Sequence, residues 1–218
     1  MRGVSSSVGA ALGVVAVLWS LQMASKIRYT LGRGPLVRSL LGQGVTVLMG
    51  AVVGGITGWM LHQFNMGTER GLLVVVSFLL LVQGPLDLLT SRLSRPLTSG
   101  GFIATVVIVL VDAVVMVTLR KALVAALLCA LVMVAFGVLH RVSSKSLGFG
   151  DVLLVGPLSL AIGCVSPSNI PLWLLAASVS GALHGVMSRV IRKSITIPFG
   201  PHLLGAAWLT LVLSIQVH

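Results

Sequence analysis

Between residues 102 and 140 the chain carries only three formal charges, Asp112, Arg120 and Lys121. The stretches FIATVVIVLVDAVVMVTL and ALVAALLCALVMVAFGVLH on either side of the basic pair are otherwise apolar, apart from two threonines and a closing histidine. About 20 such residues in helical form cross the roughly 30 Å of a bilayer's hydrocarbon core. The runs are continuous and do not alternate, which favours helices over the strands of a membrane barrel. Composition agrees: 56% of the 218 residues are hydrophobic and 9% are charged, with a mean hydropathy of +1.09. Soluble domains carry about 25% charged residues, so this chain could not clothe a water-facing surface.

The fold class expected is therefore all-α, a polytopic membrane protein of about eight transmembrane helices. The spans are read near 6–25, 44–62, 71–90, 102–119, 122–140, 151–168, 171–188 and 201–217. Two N-terminal helices joined by a basic loop make up residues 1–70, and a six-helix core makes up 71–218. The first span ends in LQMAS, which has the small residues of a cleavage site. However, its leading segment holds only Arg2, and the basic stretch SKIRYTLGRGPLVR follows, as suits a retained span and a cytoplasmic loop.

The net charge of +11 invites a nucleic-acid partner, but its distribution argues for membrane orientation instead. With the N-terminus outside, Lys26, Arg28, Arg33, Arg38, Arg92, Arg95, Arg141, Lys145, Arg189, Arg192 and Lys193 fall on the inner side. Only Arg2, Arg70, Arg120 and Lys121 remain outside, the bias that the positive-inside rule describes. Both termini are then outside, and no nucleic-acid partner is expected. Basic loops of this kind meet anionic lipid surfaces. Cys129 and Cys164 lie within spans and form no CxxC pair. The five histidines, His62, His140, His184, His202 and His218, show no ligand spacing. No metal or cofactor is expected; the histidines read as interfacial polar residues, with His140 and His184 near inner ends.

The acids are scarce, three aspartates and one glutamate, and two of them fall at one depth. The third span runs inward and carries Asp87 near its inner end, in GPLDLLTSRLSRPLTSGG; the sixth runs outward from SLGFGDVLL, beginning at Asp151. A carboxylate at membrane depth is costly unless paired, protonated or functional. Two carboxyls that share a site do not both ionise easily, so one can draw a proton from water while the other polarises a scissile carbonyl. Gly148 and Gly150 lack a β-carbon, which permits positive φ and close approach of a substrate backbone to Asp151. The helix N-terminus favours a negative charge at Asp151. Simpler readings stand beside this one. Asp151 alone could cap a glycine-led helix, and Asp87 could be a helix-end residue beside Arg92. Asp112, expected near the middle of the fourth span, could bond a serine or threonine in the bundle or mark a proton path.

Three segments resemble the type IV prepilin peptidases, membrane aspartic proteases that process pilins and related secretion subunits. GPLDLLTSRLSRPLTSGG is similar to the family's first catalytic segment, LGFGDVLLVGPLSLAIG to its second, and ITIPFGPHLLGA to the IPFGP loop before the last span. Together they cover about residues 70–218. The resemblance implies that Asp87 and Asp151 are the catalytic pair. Gly148, Phe149, Gly150, Thr90, Pro96, Pro198, Gly200 and Pro201 would then belong to the motifs that shape substrate access. It implies cleavage of a short basic leader from a prepilin-like protein at the cytoplasmic face of the plasma membrane. Presenilin-type proteases share Gly-x-Gly-Asp but close with Pro-Ala-Leu, where this chain has IPFGP. The family often carries a lysine three residues after the second aspartate; here that residue is Leu154. Larger members insert a four-cysteine zinc domain linked to N-methylation between their first two spans. This chain has only the cysteine-free loop 26–43, so the resemblance is to a peptidase-only form, as in Flp/Tad-type systems. Two other functional classes fit the same residues: a proton- or cation-coupled transporter component using Asp87, Asp112 and Asp151, and a non-catalytic pilus or secretion assembly protein. The particular substrate and the oligomeric state are open at this level.

Overall fold

The computed structural model describes residues 2–30, 40–63, 67–90, 93–116, 118–142, 148–192 and 198–217. Within them the chain is helical throughout, in the order α1 (Arg2–Thr30), α2 (Leu40–Gln63), α3 (Thr68–Thr90), α4 (Arg95–Val115), α5 (Leu119–Val142), α6 (Phe149–Val165), a short 3-10 turn (Pro167–Asn169), α7 (Ile170–Arg192) and α8 (Gly200–Val217). Among the described residues, four segments are long and apolar enough to cross a membrane: Thr68–Leu89, Arg95–Val115, Leu119–Val142 and Pro167–Ser188. Ser7–Gln22, Thr46–His62 and Phe149–Val165 are shorter apolar helices.

Burial separates two kinds of apolar helix. α6 is hydrophobic nearly all round, and from Asp151 to Val165 every residue but Leu153 is buried. It packs against α4, α5 and α8, with lesser contact to α3 and α7. α5 is also a long apolar helix, yet its Leu123, Leu127 and Leu131 are 61%, 70% and 65% exposed. An apolar surface that extensive is unlike that of a soluble monomer and suits a lipid surround.

Lipid-immersed helices gain little from hydrophobic burial against one another and associate through close packing and interhelical hydrogen bonds. Small residues let α1 and α2 come together. A β-carbon on Gly13 would overlap the carbonyl oxygen of Gly50, and one on Gly54 would overlap that of Gly9. The G-x-x-x-G spacings Gly9–Gly13 and Gly50–Gly54–Gly58 are visible in the sequence but enter none of the readings above. Polar side chains supply the other ties. The Trp208 indole N–H of α8 donates to Ser77 Oγ of α3 at 3.0 Å, and Ser77 Oγ lies 2.9 Å from Thr57 Oγ1 of α2. The Trp173 indole of α7 donates to the Leu203 carbonyl of α8 at 3.0 Å.

Most helix ends depart from the expected bounds by a few residues, and two helices shift in ways that bear on the acids. α4 starts at Arg95 instead of 102, because Pro96 is preorganised for a first helical turn. Thr98 is drawn against α3 by a buried pair in which the Gln83 amide donates to Thr98 Oγ1 at 3.1 Å. That earlier start corrects the expected depth of Asp112. It lies in the last turn of α4, not mid-span, and its carboxylate accepts hydrogen bonds from the Thr68 hydroxyl and, at 2.9 Å, from the Thr118 hydroxyl. α6 occupies Phe149–Val165 instead of 151–168, with Pro167 opening the 3-10 turn that follows.

Gly54→Val should therefore destabilise the bundle by about 1–3 kcal/mol by overpacking α1 against α2. Gly205→Ala, whose added carbon meets nothing within 4 Å, should be neutral or stabilising by up to about 1 kcal/mol. Thermal unfolding in detergent measures both; equal losses would discount the close α1–α2 contact.

Candidate functional site

Asp87 and Asp151 come from helices of opposite direction and meet at one end of the bundle. Asp87 lies in the last turn of α3, two residues after Pro85, and Asp151 in the first turn of α6. Both are buried, with 5% and 8% of their surfaces exposed. Asp151 lies close enough to act on Asp87 electrostatically. No ion pair with a lysine or arginine engages either one among the described residues.

Each carboxylate is held by a backbone amide from a glycine. The N–H of Gly200, the first residue of α8, donates to Asp87. The N–H of Gly148 donates to Asp151 Oδ2 at 3.2 Å, while the Asp151 N–H donates to the Gly148 carbonyl at 3.1 Å. Asp151 is thus the third residue of its helix, reaching back to the capping residue, rather than the cap itself.

The glycines act through close approach and not through unusual backbone. Gly148 has φ −72° and ψ 145°, and Gly150 also has no positive φ, so the expectation of a left-handed turn is corrected. A β-carbon on Gly150 would lie 3.1 Å from both Cβ and Cδ1 of Leu93, and one on Gly200 would lie 2.7 Å from Asp87 Oδ2 and 3.1 Å from Leu93 Cδ2. Leu93, between α3 and α4, therefore touches the segments that carry both amides. It sits in SRLSRP, where nothing in its type or spacing marked it.

The other motif residues divide. Pro198 and Pro201 flank Gly200 at the start of α8, and Pro96 lies exposed in the first turn of α4. Thr90 closes α3, and its side chain lies outside the described residues. Phe149 turns elsewhere: its ring is 5.9 Å from that of His140 and has the Arg95 guanidinium 5.9 Å from its centroid. Leu154 is fully buried in the core. The fully buried amide of Gln83 sits one turn before Asp87 on the same helix face. His184 of α7 and His202 of α8 meet with Nδ1 and Nε2 2.8 Å apart. Their sequence separation carries no ligand signature, so only the packing of α7 on α8 reveals them. Among the described residues no three of His, Cys, Asp and Glu gather so as to hold a metal ion.

Asp112 is remote from this end. Its contact with Thr68 places it at the beginning of α3, and α3 rises about 28 Å from Thr68 to Asp87. Comparison with protein-family models, curated proteins and solved structures returns no match.

Gly150→Ala should cost about 1–3 kcal/mol by crowding Leu93. That loss should shrink in a Leu93→Ala background, with a coupling of at least about 0.5 kcal/mol in the unfolding cycle. Strictly additive losses would show that the Leu93–Gly150 contact has no energetic role.

Proposed function

We propose that this protein is a membrane-embedded aspartic endopeptidase that removes short basic leaders from type IV prepilin-like precursors. The observation that carries the reading is the meeting of Asp87 and Asp151, distant in sequence, as two buried carboxyls with no counter-cation among the described residues. The resemblance of the segments around them, and of the IPFGP loop whose Gly200 amide reaches Asp87, supports the same conclusion.

The chemistry follows from a proton shared by the pair. The ionised carboxyl takes a proton from water as it attacks the scissile carbonyl, and the protonated one donates to the carbonyl oxygen. The amine leaves with a proton returned from the pair. The Gly200 and Gly148 amides fix the orientation of the two acids, and the shared proton belongs to the pair rather than to one residue. In this reading the helices form eight spans in the plasma membrane, with both termini outside. The aspartates then face the cytoplasmic mouth, where the substrate's apolar helix arrives laterally through lipid. The chain would act as a peptidase only, without N-methylation.

Co-expression with a small membrane protein bearing a basic leader, a glycine and an apolar helix, scored by leader loss, tests the proposal. Asp87→Asn and Asp151→Asn should each lower cleavage by at least about 100-fold, while Asp112→Asn retains it. A transporter routed through all three acids predicts the reverse emphasis, with transport lost at Asp112. An assembly protein would tolerate all three changes. Intact precursor beside well-folded parent protein would overturn the peptidase reading.

A further inference from the structure

A groove of about 390 Å³ opens between α5 and α6, lined by Val134, Gly137, Val138, His140, Arg141, Phe149 and Val152. Its walls and its mouth differ in chemistry. Val134 and Val138 are largely exposed along α5, and a β-carbon on Gly137 would meet nothing within 4 Å, so the floor at that residue is open. At the mouth, Arg141 joins the lining and the Arg95 guanidinium stands over the half-exposed Phe149 ring. A cation–π contact of this kind holds a guanidinium in place while leaving its donors free to bind. The carboxylates at this end, Asp87 and Asp151, are buried and engaged by the Gly200 and Gly148 amides.

A basic mouth on an apolar groove is complementary to an anion with a hydrocarbon tail. We propose that this groove binds one anionic phospholipid. Its phosphate is held between Arg95 and Arg141, and an acyl chain lies over Gly137 against Val134, Val138 and Val152. Basic pockets between membrane helices take acidic headgroups in this way. The basic leader of the proposed peptidase substrate would be repelled by the same mouth, which makes the lipid the better electrostatic match. The larger groove, about 480 Å³ between α1, α2 and α3, has no basic residue in its lining and so lacks the headgroup half of such a site.

The test uses the full chain purified in detergent and exchanged into mixed micelles of phosphatidylglycerol and phosphatidylcholine, with retained lipid counted by native mass spectrometry. Phosphatidylglycerol should be retained preferentially. The double variant Arg95→Gln, Arg141→Gln should lose about 30-fold of that preference, the equivalent of about 1 kcal/mol per arginine. Arg120→Gln with Lys121→Gln, at the other end of the bundle, should change it by no more than about twofold, since charges a bilayer's thickness away are screened. Gly137→Leu fills the floor and should lower retention of the lipid, whereas a site for phosphate alone would ignore it. Should the double variant unfold, Arg141→Gln alone should still cost about fivefold.

Retention unchanged in the arginine variants, or lost equally in the Arg120/Lys121 control, overturns the proposal. So does displacement of the lipid by inorganic phosphate with Gly137→Leu silent. Because the readout is bound lipid and not cleavage, its failure and that of the peptidase reading are distinguishable.

Discussion

Backbone amides and carbonyls find no water inside a bilayer, so every segment that crosses it must have its backbone bonded within the protein, and this chain does so as helix. That constraint leaves side chains with little hydrophobic incentive to choose one helix neighbour over another, since lipid is as apolar as leucine. What orders this bundle is therefore distance and a few polar ties. Gly9, Gly13 and Gly54 bring α1 and α2 into backbone contact. Gly163 lets α6 approach Ala125 of α5, where an added carbon would lie 3.2 Å from the Ala125 Cα. The Thr57–Ser77–Trp208 group then joins α2, α3 and α8 through hydrogen bonds that have no aqueous competitor.

The same device builds the candidate site. Gly200 and Gly150 are small where Leu93 and the Asp87 carboxylate need space, so α8, α6 and the segment entering α4 converge on one point. Two carboxyls are thereby buried together at an end of the bundle, each held by a glycine amide. Burying two acids at one end of the bundle without a cation opposes stability. In the proposed peptidase that cost is the source of the chemistry, because a pair that shares a proton offers an acid and a base at once.

Much of the site was legible in the residues, because scarcity made them conspicuous. With four acids in the whole chain, Asp87 and Asp151 stand out, and counting helix directions from the basic loops puts them at one depth. Leu93 was illegible, since one leucine among many carries no signal. His184 and His202 were equally hidden, because a pair formed across two helices leaves no spacing behind. The apolar run alone sets Asp112 too deep, because it does not show where the helix begins. Pro96 and the Gln83–Thr98 pair instead carry the helix back through a stretch that reads as loop.

The sequence by itself determined that this chain is a bundle of helices for an apolar surround, since long apolar runs that do not alternate satisfy their backbone groups as helix and not as barrel strands. It also singled out the acids, because an ionisable residue in an apolar segment is too costly to be incidental. Only the tertiary structure decided which helix is buried and which faces outward, for α5 and α6 are both apolar and periodicity cannot tell them apart. It decided too that Gly150 acts by yielding space to Leu93 instead of by turning the backbone. A missing β-carbon has the same letter in the sequence whichever use is made of it, and the neighbour that fills the gap is supplied by another part of the chain.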